Sequence, residues 1–286
     1  MPASLKGYVN AFYTFRCGAD GLDDVMPSYS PQLMMFANGS VTMDFSSGIQ
    51  GPVSGAFLVT QLEEAVPFHV LGPAQMIGVS LNMRGWAALT GLPVNETSNR
   101  AMAASQAMSP FASSRLDELV GAMRGGGKDG AEIAAAMGDT LAQALRPLMP
   151  EHDRFIIQML EWLGASFSPS LDDLHQTLAM SHRTIQRLSN KYFGRPPITL
   201  AKRYRAIRAA TFLSSPDLLA ELEQEILDAY YDQAHLIRDL RRYTGRTPTR
   251  LGKLAGASLG ERTLDVEGYG NGALFTGLVA AEMANG

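Results

Sequence analysis

The feature that most constrains this chain is an internal repeat of a capped helix. Residues 181–197 read SHRTIQRLSNKYFGRPP and residues 232–248 read DQAHLIRDLRRYTGRTP, an offset of 51 residues without a gap. Ser181 and Asp232 are both good N-caps, because a short side-chain oxygen accepts a backbone N–H at the exposed start of a helix. Ile185 matches Leu236, Arg187 matches Arg238, Gly194 matches Gly245 and Pro197 matches Pro248. Each copy therefore predicts a helix with one inward aliphatic side chain, an arginine beside it and a Gly-x-x-Pro stop.

The first copy sorts cleanly on a helical wheel. Ile185, Leu188 and Tyr192 share one face and predict contact with a core. Arg183, Gln186, Arg187 and Asn190 share another. Arginine bonds both acceptors of a guanine edge, and Gln or Asn does the same for adenine, so this stripe suits a helix lying in a major groove. Upstream, PSLDDLHQTLAM predicts a short helix capped by Ser170, followed by a tight turn. Helix, turn and polar-striped helix make a helix-turn-helix unit. Between the copies, PITLAKRYRAIRAATFL predicts one helix with Leu200, Tyr204, Ile207 and Thr211 on one side and Arg205 and Arg208 on another. Ser215 and Pro216 predict its end and the cap and first turn of the next helix.

Charge follows the repeat. The chain has a net charge of −4, yet residues 151–250 hold 14 basic and 12 acidic side chains. Eight of the basic ones, Arg183, Arg187, Lys191, Arg195, Lys202, Arg203, Arg205 and Arg208, lie in one acid-free stretch. A concentrated basic segment in an acidic protein points to a polyanion bound at one place, or to a solvated helical face.

The N-terminal third reads differently. QLMMFANGSVTMDF places Asn38-Gly39 between two apolar runs, the pattern of a type I′ hairpin. GAFLVTQL, AVPFHVL and QMIGVSLN predict further short strands, hence a sandwich or small barrel, with RGWAALTGL as a closing helix. Two helices follow, one near residues 113–124 and one striped by Ile133, Met137, Leu141, Leu145 and Leu148, which packs on its own domain or on a second subunit. The last 36 residues, rich in Gly and Ala, predict a loose tail. The expected fold is α+β: a β-sandwich or barrel-like domain over residues 1–108, a helical connector over 109–150, an all-α double helix-turn-helix over 151–251 and a tail over 252–286.

Other chemistry finds little support in the sequence. His69 is the only histidine before residue 150, so no metal site is expected; a zinc site needs several converging ligands. GAMRGGGKDG fails the phosphate-loop pattern at Ala122 and Asp129, and no Gly-x-Ser-x-Gly elbow occurs. The Met, Phe and Tyr side chains of the N-terminal domain predict ordinary core more strongly than a ligand pocket. No apolar run nears the ~18 residues needed to span a bilayer, no signal-peptide pattern opens the chain and Cys17 is alone. The expectation is a cytoplasmic protein that is not an enzyme and carries no cofactor.

The strings MSHRTIQRL, FGRPPITLAKRYRAIRA and YYDQAHLIRDLRRYTGRTP resemble the AraC/XylS family of transcription regulators over residues 155–251. MIGVSLNMRGWAALTGLPVNETSN resembles the sensor domains that accompany this kind of DNA-binding domain. The resemblance implies a double-stranded DNA operator, a small-molecule effector, a homodimer and, for an activator, contact with RNA polymerase. It places Arg183, Gln186 and Arg187 at DNA in the first unit and Gln233, Ala234, Ile237 and Arg238 in the second, with Arg241 further along the same helix. Lys191, Arg205 and Arg242 are the expected phosphate contacts. The sequence departs from the family at His175, where a small residue is usual, at Ser189 in place of a core aromatic, at Ala229 in place of a turn glycine, and at Glu225 near a usual alanine, where a one-residue shift brings Ile226. These departures leave open a regulator-like protein that has lost operator binding and acts through protein contacts.

Overall fold

The computed structural model describes residues 2–126, 129–214, 220–251 and 278–282. Seven strands, β1 Val9–Cys17, β2 Leu22–Met26, β3 Gln32–Phe45, β4 Gly48–Val59, β5 Val66–Leu81, β6 Ala101–Ala103 and β7 Leu278–Glu282, belong to one sheet of order β6-β4-β3-β5-β1-β7, with β2 also paired to β5. All pairings are antiparallel except β1 with β7. The fold is thus mixed α+β, with a β-rich N-terminal domain and a helical C-terminal region.

Two strand expectations are corrected. Asn38-Gly39 does not turn the chain: β3 runs straight through it and pairs along its length with β5. Gly39, at φ 76°, lies at a register irregularity, between Asn38 paired with Gln75 and Ser40 paired with Leu71, and a side chain there would strike Leu71 and Ala74. A bulge and a type I′ turn want the same positive-φ residue, so the dipeptide alone does not choose between them. The hairpin turn lies instead at Ser46-Ser47, where Phe45 pairs with Gly48. AVPFHVL and QMIGVSLN are one long strand, β5.

The helices are α1 Met83–Thr90, α2 Val94–Thr97, α3 Ala104–Ala107, α4 Pro110–Gly125, α5 Gly130–Ala144, α6 Pro150–Ala165, α7 Leu171–Leu178, α8 His182–Phe193, α9 Pro197–Leu213, α10 Ala220–Asp228, α11 Gln233–Thr244 and α12 Pro248–Leu251. Helix α1 is the predicted closing helix, capped by Asn82 and ended by Gly91 at φ 69°. Ile133, Met137 and Leu141 of α5 are buried in the chain's own core, so this stripe is not free for a second subunit; Leu145 and Leu148 lie beyond the helix end. The expected cap at Ser215 and Pro216 and most of the tail lie outside the described residues; within the tail, Leu278–Glu282 run as a strand beside β1.

Side chains alternate across a strand, so one sheet feeds two apolar clusters. Phe12, Leu33, Met35, Leu58, Ile77 and Val79 join a cluster that continues through α4, α5 and α6 to Ile185, Leu188 and Phe193 of α8. Tyr13, Phe15, Met34, Phe36, Phe57 and Met76 face the other way, into a cluster that reaches Ile207, Ile226, Leu236 and Leu240. The Met and Phe side chains of β1, β3, β4 and β5 are therefore core. Among the described residues no helix is long and apolar enough to cross a membrane, and no group of three or more His, Cys, Asp or Glu is placed to hold a metal ion.

Candidate nucleic-acid interface

Both repeat copies fold as their caps dictate. Ser181 Oγ accepts from the Thr184 N–H at 3.2 Å and Asp232 Oδ1 from the His235 N–H at 2.7 Å. Gly194 and Gly245 end their helices in the left-handed region, at φ 82° and 72°, a conformation that costs glycine nothing. Ser170 caps α7 in the same manner. In α8, Ile185, Leu188 and Tyr192 are buried, whereas Arg183, Gln186 and Arg187 are exposed and Asn190 half-exposed. The buried face anchors the helix, and the opposite face presents two guanidinium groups and an amide to solvent. Lys191 sits over the Tyr192 ring, 5.1 Å from its centroid. In α11, Gln233, Ala234, Arg238, Arg241 and Arg242 are exposed and Ile237 is half-exposed.

The basic stretch does not act as one surface. Arg205 turns inward: it donates to the Ala229 carbonyl at 3.0 Å, pairs with Asp239 at 3.3 Å and stacks 4.3 Å above Tyr230. It braces α9 against the second unit and is not placed as a phosphate contact. Arg208 donates to the Gly164 carbonyl and covers Phe167, and Arg203 is 3% exposed beside the Leu62 carbonyl. Burial lowers the Arg208 pKa, and it pushes the Tyr230 hydroxyl far up and the Tyr243 hydroxyl up, so both phenols stay neutral. Arg195 pairs with Glu63 of the N-terminal domain. Arg242 is exposed over Tyr243, 4.0 Å from Glu64. Arg183, Arg187, Lys191, Lys202, Arg238 and Arg241 remain directed outward with no ion pair among the described residues.

Three of the four departures from the family pattern are accommodated locally, whereas His175 leaves its Nδ1 buried without a hydrogen-bond partner among the described residues. The His175 ring lies against the His182 ring with centroids 3.7 Å apart, filling the contact between α7 and α8. Ser189 is fully buried and its hydroxyl donates to the Arg195 carbonyl at 2.7 Å. Ala229 does not need a positive φ, and its carbonyl is the acceptor for Arg205. Ile226 is the core residue of α10, and Glu225 points to solvent. The first turn carries the strain instead, with Ala179 at φ 48°.

Sequence reasoning missed the contacts between the two domains. Asp24 and Arg246, 3% and 2% exposed, pair at 2.8 Å, and Arg246 also donates to the Val25 carbonyl. The Ser28 and Ala65 N–H groups donate to the Tyr243 and Arg242 carbonyls at 2.7 and 2.8 Å. The signal was present only as the second Gly-Arg dipeptide of the repeat. An open groove of about 390 Å³ lies at the turn of the second unit, lined by Leu227, Tyr231, Asp232 and Leu236 among others.

Residues 174–253 match a family model described as a helix-turn-helix domain. This part of the chain is thus similar to helix-turn-helix domains. Among solved structures, one of ToxT from Vibrio cholerae at 1.65 Å resolution is 6% identical, covers 86% of this chain and 98% of its own, and has a TM-score of 0.49. A second, ToxT from Vibrio cholerae O395, is 9% identical with the same coverage and a TM-score of 0.47. A third, ToxT of strain SCE256 with bound unsaturated fatty acid, is 9% identical, covers 86% of this chain and 95% of its own, and has a TM-score of 0.47. No curated protein matches the sequence.

Proposed function

We propose that the chain is a sequence-specific operator-binding regulator of transcription, with α8 as its principal reading helix. The observation that carries this is the outward stripe of Arg183, Gln186 and Arg187 on a capped helix whose opposite face is buried. Gln233, Arg238 and Arg241 extend the surface to the second unit, and Lys191 and Lys202 supply charge for the phosphate backbone. On this reading residues 1–108 are the effector and dimerisation domain, 109–150 the connector and 151–251 the DNA-binding domain. A small molecule acts through the β-domain by binding one arrangement of the domains better than another. The direct bonds from Ser28 and Ala65 to α11 support such coupling. A homodimer doubles the operator contacts; with the α5 stripe internal, its contact falls to the N-terminal domain. Contact with RNA polymerase then serves activation.

The test is binding to DNA flanking the protein's own gene, followed by fluorescence anisotropy across a salt series. Six outward cations predict a slope of log K against log salt of about −5. Absence of binding at low salt overturns the reading.

A further inference from the structure

We propose that the loop of residues 61–65 holds the two helix-turn-helix units at a fixed separation, so that Glu63 and Glu64 are positioning residues that select operators by half-site spacing. The proposal rests on the DNA-binding reading above. This one loop touches both repeat copies and the helix between them. Glu63 pairs with Arg195, which directly follows the cap Gly194 of α8. The Leu62 carbonyl accepts from Arg203 of α9. The Ala65 N–H donates to the Arg242 carbonyl in the last turn of α11, and the Glu64 carboxylate lies 4.0 Å from the Arg242 guanidinium.

The attachment repeats with the sequence. Arg195 and Arg246 are equivalent residues of the two copies, and each meets a carboxylate of the N-terminal domain, Glu63 for the first and Asp24 for the second. The glycine before each arginine packs against that domain too: a side chain on Gly194 would crowd Val94, and one on Gly245 would collide with Val25. Both reading helices are thus docked by their C-terminal ends at matching points.

The loop itself is stiffly held. Gln61 donates to the Tyr29 and Leu62 carbonyls, and Ser28 Oγ donates to the Leu62 carbonyl at 2.6 Å. Asn99 Oδ1 accepts from the Glu63 N–H at 2.9 Å, and the Asn99 N–H donates to the Gln61 carbonyl. Along the chain the two units are joined through a single segment. The loop adds a second connection, which removes rotational freedom between the reading helices. Reading helices must enter major grooves about one helical turn apart, and each added base pair shifts the second groove by ~3.4 Å and rotates it by ~34°. A braced tandem rejects such a change, and an unbraced one follows it.

The test compares the full-length protein with a Glu63→Lys/Glu64→Lys variant and the milder Glu63→Gln/Glu64→Gln variant. DNA affinity is measured on the best operator and on versions with one or two base pairs inserted between the half-sites. The ratio between spacings is read, so the added charge cancels. We expect insertion to weaken the wild type by about tenfold or more, within the usual range for coupled sites. The Lys variant should lose most of that preference and the Gln variant part of it. Amide exchange at Ser28 and Ala65, whose N–H groups bond α11, should quicken in both variants and report that the brace has opened. If exchange quickens while spacing preference stays unchanged, or if neither moves in the Lys variant, this proposal fails and DNA binding stands. If the wild type binds no operator at any spacing, the DNA-binding reading fails and takes this proposal with it.

Discussion

Replacing Arg205 by methionine separates the two roles that its position in the basic stretch suggests. Methionine keeps the length of the stem and removes the charge. The loss has three parts. Removing one partner of a fully buried ion pair costs ~3–5 kcal/mol. Arg205 and Asp239 are 17% and 12% exposed at 3.3 Å, so solvent softens that figure. About half of it, ~2 kcal/mol, is the appropriate share for a pair that keeps some contact with water. Loss of the hydrogen bond to the Ala229 carbonyl adds ~1 kcal/mol, and loss of the stacking on Tyr230 adds ~0.5 kcal/mol. The expected destabilisation is therefore about 3.5 kcal/mol, read by urea unfolding as a lower midpoint with little change in slope. A double variant, Arg205→Met with Asp239→Leu, should recover part of it, because it leaves no orphan carboxylate. DNA binding measured where the variant is folded should keep the wild-type salt slope. Wild-type stability combined with a salt slope flattened by ~0.9 would identify Arg205 as a phosphate contact and refute the structural role.

Alanine at Arg183 or Gln186 should cost ~1–3 kcal/mol of operator binding and relax preference at particular base pairs, whereas Arg241→Ala should weaken all sequences alike and flatten the salt slope by about one unit; a panel of single-base operator variants distinguishes these, and the reverse pattern would contradict the division between the helices. Ser189→Ala removes a fully buried hydroxyl that donates to the Arg195 carbonyl, and should lower unfolding stability by ~1 kcal/mol; a neutral outcome in urea would show that the hydroxyl contributes nothing. His152 bonds the Tyr192 hydroxyl at 2.8 Å, and burial, with Lys191 and Arg187 nearby, holds its pKa below the ordinary value. The unfolded chain then binds this proton more readily, so stability is full above about pH 6.5 and falls as pH drops below it. His152→Gln should flatten that fall, and an unchanged pH profile would assign it to other groups.

The sequence carried the local rules of this fold. Caps at Ser181 and Asp232, the glycine stops and the inward Ile185, Leu188 and Tyr192 all follow from contacts within a few residues, and the structure places each as the wheel predicts. What stayed hidden is which neighbour covers a given face. A wheel puts Arg205 and Arg208 off the aliphatic stripe of α9. It does not say that α9 is enclosed on several sides, where guanidinium groups reach carbonyls and aromatic rings. The stripe of α5 likewise gives no sign of whether its cover comes from the same chain. Asn38-Gly39 misled because two backbone motifs share one residue preference. Glu63, Glu64 and Asp24 lie in segments with no periodicity, and only the folded chain brings them to the arginines they meet.

The apolar cluster that runs from Phe12 through Phe155 to Phe193 has a consequence for modular engineering. Cutting between residues 150 and 151 to graft this reader onto a foreign receiver would strip the cover from Phe155, Ile156 and Met159, all fully buried in the intact chain. The severed fragment would expose a greasy flank and self-associate. A working chimera must carry the β-domain along, or replace the lining of that flank with polar side chains first.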